Sequence, residues 1–235
     1  MSQPLLFSLM DKAVFDYKMI EEGDRILVGA SGGKDSTALI EYFANRLKRK
    51  NALFSFACLH VTSEITPPLS AGLLDLFKSW NVEVLDFYVD VLARVKPGFK
   101  MNCWWCSTQR RNELLKYAMD NGYNKIALGH HLDDILETML MNMLDKGEFS
   151  TMPPVMRYNN YLCQIIRPLC YADEKTIIEH GKNSGYIVNT CTCNYQDNSR
   201  RKDAKKAVEF LTGGDKVKKN KMFQAMKNIL TDYLP

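Results

Sequence analysis

The sequence has no apolar run long enough to cross a membrane, and no basic stretch precedes the apolar residues of its first ten positions. We therefore expect neither a membrane-spanning segment nor a secretory signal. No internal repeat or low-complexity segment is evident either. The 235 residues, 46% hydrophobic and 25% charged, have the composition of an ordinary globular protein, which predicts one domain over residues 1–235.

Seven cysteines are an odd number, and together with the missing export signal they argue against a disulfide framework. They favour a reduced, cytoplasmic setting. Cys58, Cys163 and Cys170 lie in apolar, strand-like runs and are predicted to be buried packing residues. The other cysteines are candidates for metal binding or chemistry.

The net charge of +4 is distributed unevenly. Only Asp203, Glu209 and Asp215 oppose the basic residues that crowd the last stretch, which are Arg200, Arg201, Lys202, Lys205, Lys206, Lys216, Lys218, Lys219, Lys221 and Lys227. Such a segment fits a polyanionic partner, although a solvated helix face has the same composition. We predict two basic helices within about 196–235, separated by Gly213-Gly214, and an amphipathic N-terminal helix over about 5–22.

One stretch has the local pattern of an anion site. An apolar run, Ile26 to Val28, leads into a turn of small residues and then into a helical pattern, so backbone N–H groups and a helix N-terminus converge. The predicted phosphate-binding residues are Ala30, Ser31, Gly32, Gly33, Lys34, Asp35 and Ser36. The pattern is not a Walker A loop, since Asp35 follows the lysine. Asp35 suggests either a bridging metal or a helix cap.

Two further predicted strands end in polar residues. The second strand, Leu53 to Val61, ends at His60-Val61, and the fourth, Lys125 to Leu128, is followed by Gly129-His130-His131-Leu132-Asp133-Asp134. In open α/β sheets, ligands bind at the carboxyl ends of strands, so His60, Gly129 and His130 are candidates for the nucleotide site. Asp133 or Asp134 could cap the following helix, hold Mg²⁺ or act on a target base.

Cys103 and Cys106 are three residues apart at a predicted helix start, with Arg110 and Arg111 one turn later. A helix N-terminus favours thiolates. The two cysteines could form half of a zinc site, a redox pair or a coincidental pattern. A zinc site needs four protein ligands, and no second Cys-x-x-Cys is present to complete one. A third ligand is available around Cys191 and Cys193, and three cysteines would hold an iron–sulfur cluster with one iron open.

Several of these motifs, in this order and spacing, resemble the TtcA family, the tRNA 2-thiocytidine synthetase branch of the PP-loop ATP pyrophosphatases. They are Ser31–Ser36, Cys103-x-x-Cys106, Gly129-His130-His131-x-Asp133-Asp134, Met152-Pro153-Pro154, Ile166-Arg167-Pro168-Leu169 and a late cysteine. The resemblance extends from about Met19 to about Asn228. The loop after the second strand departs from it, with Thr62 near the place of the family's aspartate.

The resemblance implies a HUP-type α/β domain, with a Rossmann-like parallel sheet and flanking helices, that uses ATP and Mg²⁺. It also implies a [4Fe-4S] cluster on Cys103, Cys106 and a third cysteine, for which Cys193 matches better than Cys191. The implied reaction is thiolation of a pyrimidine in tRNA. The C2 oxygen is adenylated with release of pyrophosphate, and AMP leaves as sulfur enters.

In that reaction Lys34 and one of Asp133 and Asp134 would be catalytic, and Arg110, Arg111, Arg200 and Arg201 would bind RNA. Trp104 and Trp105 could stack on an exposed base. The partners expected are tRNA and a sulfur donor, either a cysteine desulfurase or sulfide, with a homodimer left open. Two alternatives are a lysidine-type ligase and a sensor that binds ATP and a cluster without turnover.

Overall fold

The computed structural model describes residues 3–95, 98, 103–157, 163–185 and 199–234. Six strands form one sheet in the order β3-β2-β1-β4-β6-β5. Neighbouring strands run parallel except for β5, which is antiparallel to β6. The strands are β1 Arg25–Gly29, β2 Ser55–Thr62, β3 Val84–Tyr88, β4 Lys125–Ala127, β5 Val155–Arg157 and β6 Gln164–Ile166. The predicted α/β class with a Rossmann-like parallel sheet is confirmed.

Eight α-helices accompany the sheet in the described part of the chain. They are α1 Leu5–Asp16, α2 Lys34–Leu47, α3 Ala71–Ser79, α4 Cys103–Asp120, α5 Leu132–Lys146, α6 Glu174–Asn183, α7 Ser199–Thr212 and α8 Lys216–Ala225. Alternate residues of a strand point to opposite faces. In β1, Ile26 and Val28 accordingly join the core cluster of α1, α2 and α5, and Leu27 joins the cluster of α4.

The strand order reverses direction between β1 and β4. From β1 the chain moves outward to β2 and β3 and then returns to place β4 on the other side of β1. Loops leaving the carboxyl ends of two such strands diverge and leave a crevice between them, which is the usual ligand site of open α/β sheets. Here those ends are Gly29-Ala30 and Leu128-Gly129.

Helix boundaries differ from the sequence predictions where capping decides them. α1 ends at Asp16 rather than near 22, since Lys18 takes a left-handed conformation with φ of 49°. The sequence predicts a helix that opens at Pro67-Pro68, but α3 begins after Ser70, whose hydroxyl accepts a hydrogen bond from the Leu73 N–H. The sequence predicts the next helix from Ile135, but α5 begins three residues earlier, at Leu132, because His131 and Asp134 form a reciprocal cap.

The predicted basic helices α7 and α8 are present on either side of Gly213-Gly214. The sequence from Val155 to Arg167 predicts a hairpin that turns at Asn159-Asn160, and β5 and β6 pair antiparallel as expected. The turn itself, and a short strand predicted at 186–188, lie outside the described residues. No helix of the described chain combines the length and apolar character that a membrane span requires.

Candidate active site

The loop between β1 and α2 is held by hydrogen bonds around one serine. The Ser36 hydroxyl donates to the Gly33 carbonyl at 3.0 Å and accepts from the Ser31 N–H at 3.2 Å. Gly32 takes φ of +78°, which L side chains rarely adopt. Gly33 caps α2 and has no side chain to satisfy the first N–H groups of the helix. These donors and the positive helix end have the geometry that suits an anion.

Gly129 brings the end of β4 against this loop. A Cβ at Gly129 would lie 3.1 Å from the Asp35 carbonyl carbon and 3.1 Å from the Ser36 nitrogen. Contacts that short force the backbone apart, so only glycine allows β4 to approach the first turn of α2 this closely. His130, the next residue, is thereby placed beside the anion site.

A cavity of about 290 Å³ opens at this point. Its walls come from the end of β1 and the loop after it, the first turn of α2, β2, α4 and the segment directly after β4, with one residue from α5. The lining residues are Gly29, Ala30, Ser31, Asp35, Ser36, Leu59, His60, Val61, Ser107, Arg110, Arg111, Leu114, Leu128, Gly129, His130 and Asp134. The structure thus gathers most of the predicted nucleotide-binding residues, and it adds the first turns of α4.

One carboxylate oxygen of Asp35 has no partner among the described residues. This atom, Oδ1, is buried, and the other oxygen, Oδ2, lies 3.3 Å from Lys34 Nζ. Burial raises the pKa of Asp35 in spite of the nearby His131 and Lys34 charges. An orphaned carboxylate oxygen in a cavity that also contains Asp134 fits Mg²⁺, which prefers carboxylate and phosphate oxygens. The residues present therefore suit the metal that the family resemblance implies.

Comparison with known proteins decides the family. The profile of the PP-loop domain matches residues 10–208. A tRNA-cytidine(32) 2-sulfurtransferase of Shewanella denitrificans is 37% identical over 224 residues, covering 92% of this chain and 68% of that protein. One from Legionella pneumophila strain Paris is 35% identical over 225 residues, covering 93% and 78%. The chain belongs to the TtcA branch of the PP-loop family.

Two solved structures have folds similar to that of this TtcA-family chain. A U34-tRNA thiolase, NcsA, from Methanococcus maripaludis with its [4Fe-4S] cluster superposes with a TM-score of 0.76 at 17% identity, covering 97% of this chain and 82% of that one. An NMN synthetase from Francisella tularensis gives 0.52 at 16% identity, covering 97% and 96%. At these identities the likeness establishes the fold alone.

The two adjacent aspartates of the TtcA motif have different surroundings. Asp133 is 6% exposed; its Oδ2 accepts from the Glu174 N–H at 2.7 Å, and its Oδ1 pairs with Lys219 Nζ at 2.7 Å. It therefore joins α5 to α6 and α8. Asp134 lines the cavity, and its Oδ1 lies 2.7 Å from Arg201 Nη2. Burial disfavours its charge, but His131 and Arg201 hold the pKa of Asp134 below its ordinary value.

His60 joins two segments of the site. Its Nδ1 lies 2.6 Å from the Ala30 carbonyl oxygen, and its Nε2 lies 3.2 Å from that of Pro67. It is 3% exposed but contributes to the cavity wall. His60 thus ties the end of β1 to the loop after β2, and its ring nitrogens are occupied by backbone oxygens.

The predicted RNA-binding arginines fall into two groups. Arg110 and Arg111 line the cavity, and the buried Nε of Arg110 has no hydrogen-bond partner in the part of the chain that the structure describes. Arg200 is exposed, whereas Arg201 bridges Asp134 and Glu137. Arg110, Arg111 and, through Asp134, Arg201 therefore belong to the surroundings of the cavity, whereas Arg200 lies on the exposed face of α7.

The predicted cluster ligands are described only in part. α4 begins at Cys103, and Cys106, in its first turn, is 5% exposed. The side chain of Cys103, and Cys191 and Cys193 altogether, lie outside the described residues. Within the described part, no three His, Cys, Asp or Glu side chains gather as a metal site. Burial raises the pKa of the Cys58 and Cys170 thiols to about 12, as their predicted packing role requires.

Four site-supporting residues escaped the sequence analysis, namely Arg167, Glu174, Lys205 and Lys219. Arg167 belongs to a motif of the family resemblance, but nothing in its sequence context indicates a role. The others lie in helices far from the motifs that they contact. Glu174 Oε1 is 3.1 Å from Lys34 Nζ, and its other oxygen is 2.6 Å from Lys205 Nζ. No local signal marks such long-range ion pairs.

Proposed function

We propose that this protein is an ATP-dependent tRNA thiolase that replaces the C2 oxygen of a cytidine by sulfur, as the names of its relatives indicate. One observation carries the proposal: the loop that would bind ATP and the helix that begins with the cysteine pair line the same cavity. Activation of the base and replacement of its oxygen are thereby brought to one place.

The described residues supply the groups that bind ATP and activate the base. The anion site at the start of α2 binds the phosphates, with Lys34, Arg110 and Arg111 offsetting their charge. The C2 oxygen attacks the α-phosphorus, the bond from that phosphorus to the bridging oxygen breaks, and pyrophosphate leaves. A hydrosulfide then attacks C2, its proton is lost, and the C2–O bond breaks as AMP departs.

Two groups complete this site. Asp35 and Asp134 would hold Mg²⁺, which offsets phosphate charge. Cys103, Cys106 and Cys193 would hold a [4Fe-4S] cluster, with Cys191 in reserve as the third ligand. The chemistry that the cluster supplies is delivery of sulfide at an iron with no protein ligand. The first-turn position of Cys106, in a helix that forms the cavity wall, fits this placement.

The tRNA would extend from the cavity over α7 and α8. Arg200 is 74% exposed, and further exposed cations on these helices are Lys202, Lys206, Lys218 and Lys221. These side chains can approach phosphates, whereas Arg201, Lys205 and Lys219 are occupied by site carboxylates. Trp105 packs partly buried against the α4 core, so base stacking would fall to Trp104.

We also propose a domain organisation, a cellular location and a sulfur donor for the enzyme. We assign residues 1–235 to one domain, because α7 and α8 pack on α5 and pair with site residues. We place it in the cytoplasm, where its cysteines stay reduced and tRNA is available. Sulfide, free or from a cysteine desulfurase, is the sulfur donor. A homodimer stays open.

Pyrophosphate release tests the proposal against its alternatives. Purified anaerobically and mixed with ATP, Mg²⁺ and bulk tRNA, the protein should release pyrophosphate only when tRNA is present. A sensor without turnover would release none. A lysidine-type ligase would release pyrophosphate as a colourless, iron-free protein and would add mass to tRNA only when lysine is supplied. Lys34→Ala serves as the inactive control.

A further inference from the structure

Arg167, directly after β6, reaches across to β4. It is 3% exposed, its Nη1 donates to the Pro153 carbonyl at 2.5 Å, and its Nε donates to His130 Nδ1 at 3.4 Å. Its own backbone N–H donates to the Pro154 carbonyl at 2.9 Å. The guanidinium is therefore fixed from two sides and directs one N–H at the imidazole.

An arginine N–H cannot act as an acceptor, because the guanidinium keeps all its protons in proteins. The His130 Nδ1 that faces it must therefore be the acceptor and carry no proton. A neutral ring with a bare Nδ1 has its proton on Nε2. Within the described residues, Nδ1 is the only ring nitrogen of His130 with a protein hydrogen bond.

The surroundings also favour the neutral ring. Burial, followed by the charges of Arg167, Arg111 and Arg201, lowers the pKa of His130 to about 3, and only Asp134 opposes them. These groups come from the residue directly after β6 and from α4, α7 and α5. At neutral pH the protonated form of His130 is accordingly disfavoured, both by burial and by three nearby positive charges.

His130 lies where phosphates would arrive. It lines the cavity and follows Gly129, whose Cα packs against Asp35 and Ser36 in the first turn of α2. We propose that Arg167 is a positioning residue that holds His130 as the neutral Nε2–H tautomer, so that His130 donates a hydrogen bond to a phosphate oxygen of the bound nucleotide. This rests on the proposed function for its ligand. It excludes His130 as a general base, because neither nitrogen is free to accept a proton from the substrate.

The tautomer is tested by two-bond ¹H–¹⁵N correlation of the imidazole in the full chain at neutral pH. The wild type should show a protonated Nε2 and a bare Nδ1. Arg167→Met should give a tautomer mixture, and Arg157→Met, on exposed β5, should change nothing. A wild-type ring with its proton on Nδ1, or on both nitrogens, would overturn the inference even if Arg167→Met fails to fold.

The donor role is tested with two amides at position 130. The amide nitrogen of His130→Gln can reach the place of Nε2, and that of His130→Asn the place of Nδ1. Calorimetry with ATP alone should show affinity within about threefold of wild type for Gln and a loss of about tenfold or more for Asn. Equal losses would refute the donor role. Failure of the proposed function would appear separately, as unthiolated tRNA with ATP binding and the tautomer intact.

Discussion

Lys34 of α2 and Glu174 of α6 form an ion pair with Nζ and Oε1 3.1 Å apart. Lys34 Nζ also lies 3.3 Å from Asp35 Oδ2, and Glu174 holds Lys205 of α7 at 2.6 Å. Burial lowers the pKa of Lys34, but Asp35 and Glu174 outweigh it and raise that pKa overall. The cation of the phosphate-binding loop is thus held by carboxylates with which an incoming phosphate must compete.

Glu174→Gln should strengthen ATP binding. The change keeps the shape of the side chain but removes one negative charge that competes for Lys34, so we expect the Kd for ATP to fall by about three- to tenfold. Isothermal titration calorimetry measures it. Glu179→Gln, on the exposed side of the same helix, should leave the Kd unchanged. Weaker ATP binding by Glu174→Gln would show that Glu174 orients Lys34 for the nucleotide instead.

Asp35→Asn should stabilise the fold and abolish activity. The pKa of Asp35 is raised by burial, so its charge costs stability at neutral pH, and that cost disappears as pH falls through the raised value towards 3.8. Urea unfolding should find the variant more stable at pH 7, with the difference vanishing at low pH. Mg²⁺-dependent pyrophosphate release should fall by about a hundredfold or more.

The control for this change is Asp75→Asn, an exposed position on α3, which should alter neither quantity. An Asp35→Asn protein that is less stable at pH 7 and keeps its Mg²⁺ dependence would contradict both the cost of the charge and the metal role.

Arg201→Met and Arg200→Met should separate structure from RNA binding. Arg201 pairs with Asp134 and with the buried Glu137, so its loss should lower the free energy of unfolding by about 2 kcal/mol. The pair of exposed Arg200 with Asp145 should contribute about 0.5 kcal/mol or less. Arg200→Met should instead weaken tRNA binding and reduce its salt dependence. Equal stabilities for the two variants would contradict this division.

Iron content should depend on particular cysteines. Anaerobically purified wild-type protein should carry about four irons per chain, and Cys103→Ala and Cys106→Ala should carry none. Cys58→Ala, at a buried position of β2, should keep the iron. Comparing Cys191→Ala with Cys193→Ala identifies the third ligand, which should be Cys193. Retained iron in Cys103→Ala would remove that residue from the cluster.

Features with a local cause could be predicted from the sequence. The phosphate-binding loop needs only an apolar strand, small residues and a helix start, all within Arg25–Ser36. The pair Gly213-Gly214 separates α7 and α8 because both glycines take left-handed conformations, with φ of +61° and +69°. Buried Cys58, Cys163 and Cys170 followed from their apolar neighbours.

Which of two adjacent aspartates faces the cavity could not be predicted from the sequence. Asp133 and Asp134 are adjacent in a helix, so their side chains point about 100° apart, and only packing decides which one faces the cavity. That packing comes from Glu174 and Lys219, which follow much later in the chain. For the same reason the composition of the basic segment could not show that Arg201, Lys205 and Lys219 pair with carboxylates of α5 and α6.

Mass spectrometry of tRNA nucleosides tests the central claim most directly. A strain without tRNA thiolation at cytidine would express the wild-type chain, Cys103→Ala or Lys34→Ala. The account predicts 2-thiocytidine in tRNA with the wild type and none with either variant, because one lacks the sulfur site and the other the phosphate-binding cation. Absence of any thiolated cytidine with the well-folded wild type, or its presence with Cys103→Ala, would contradict it.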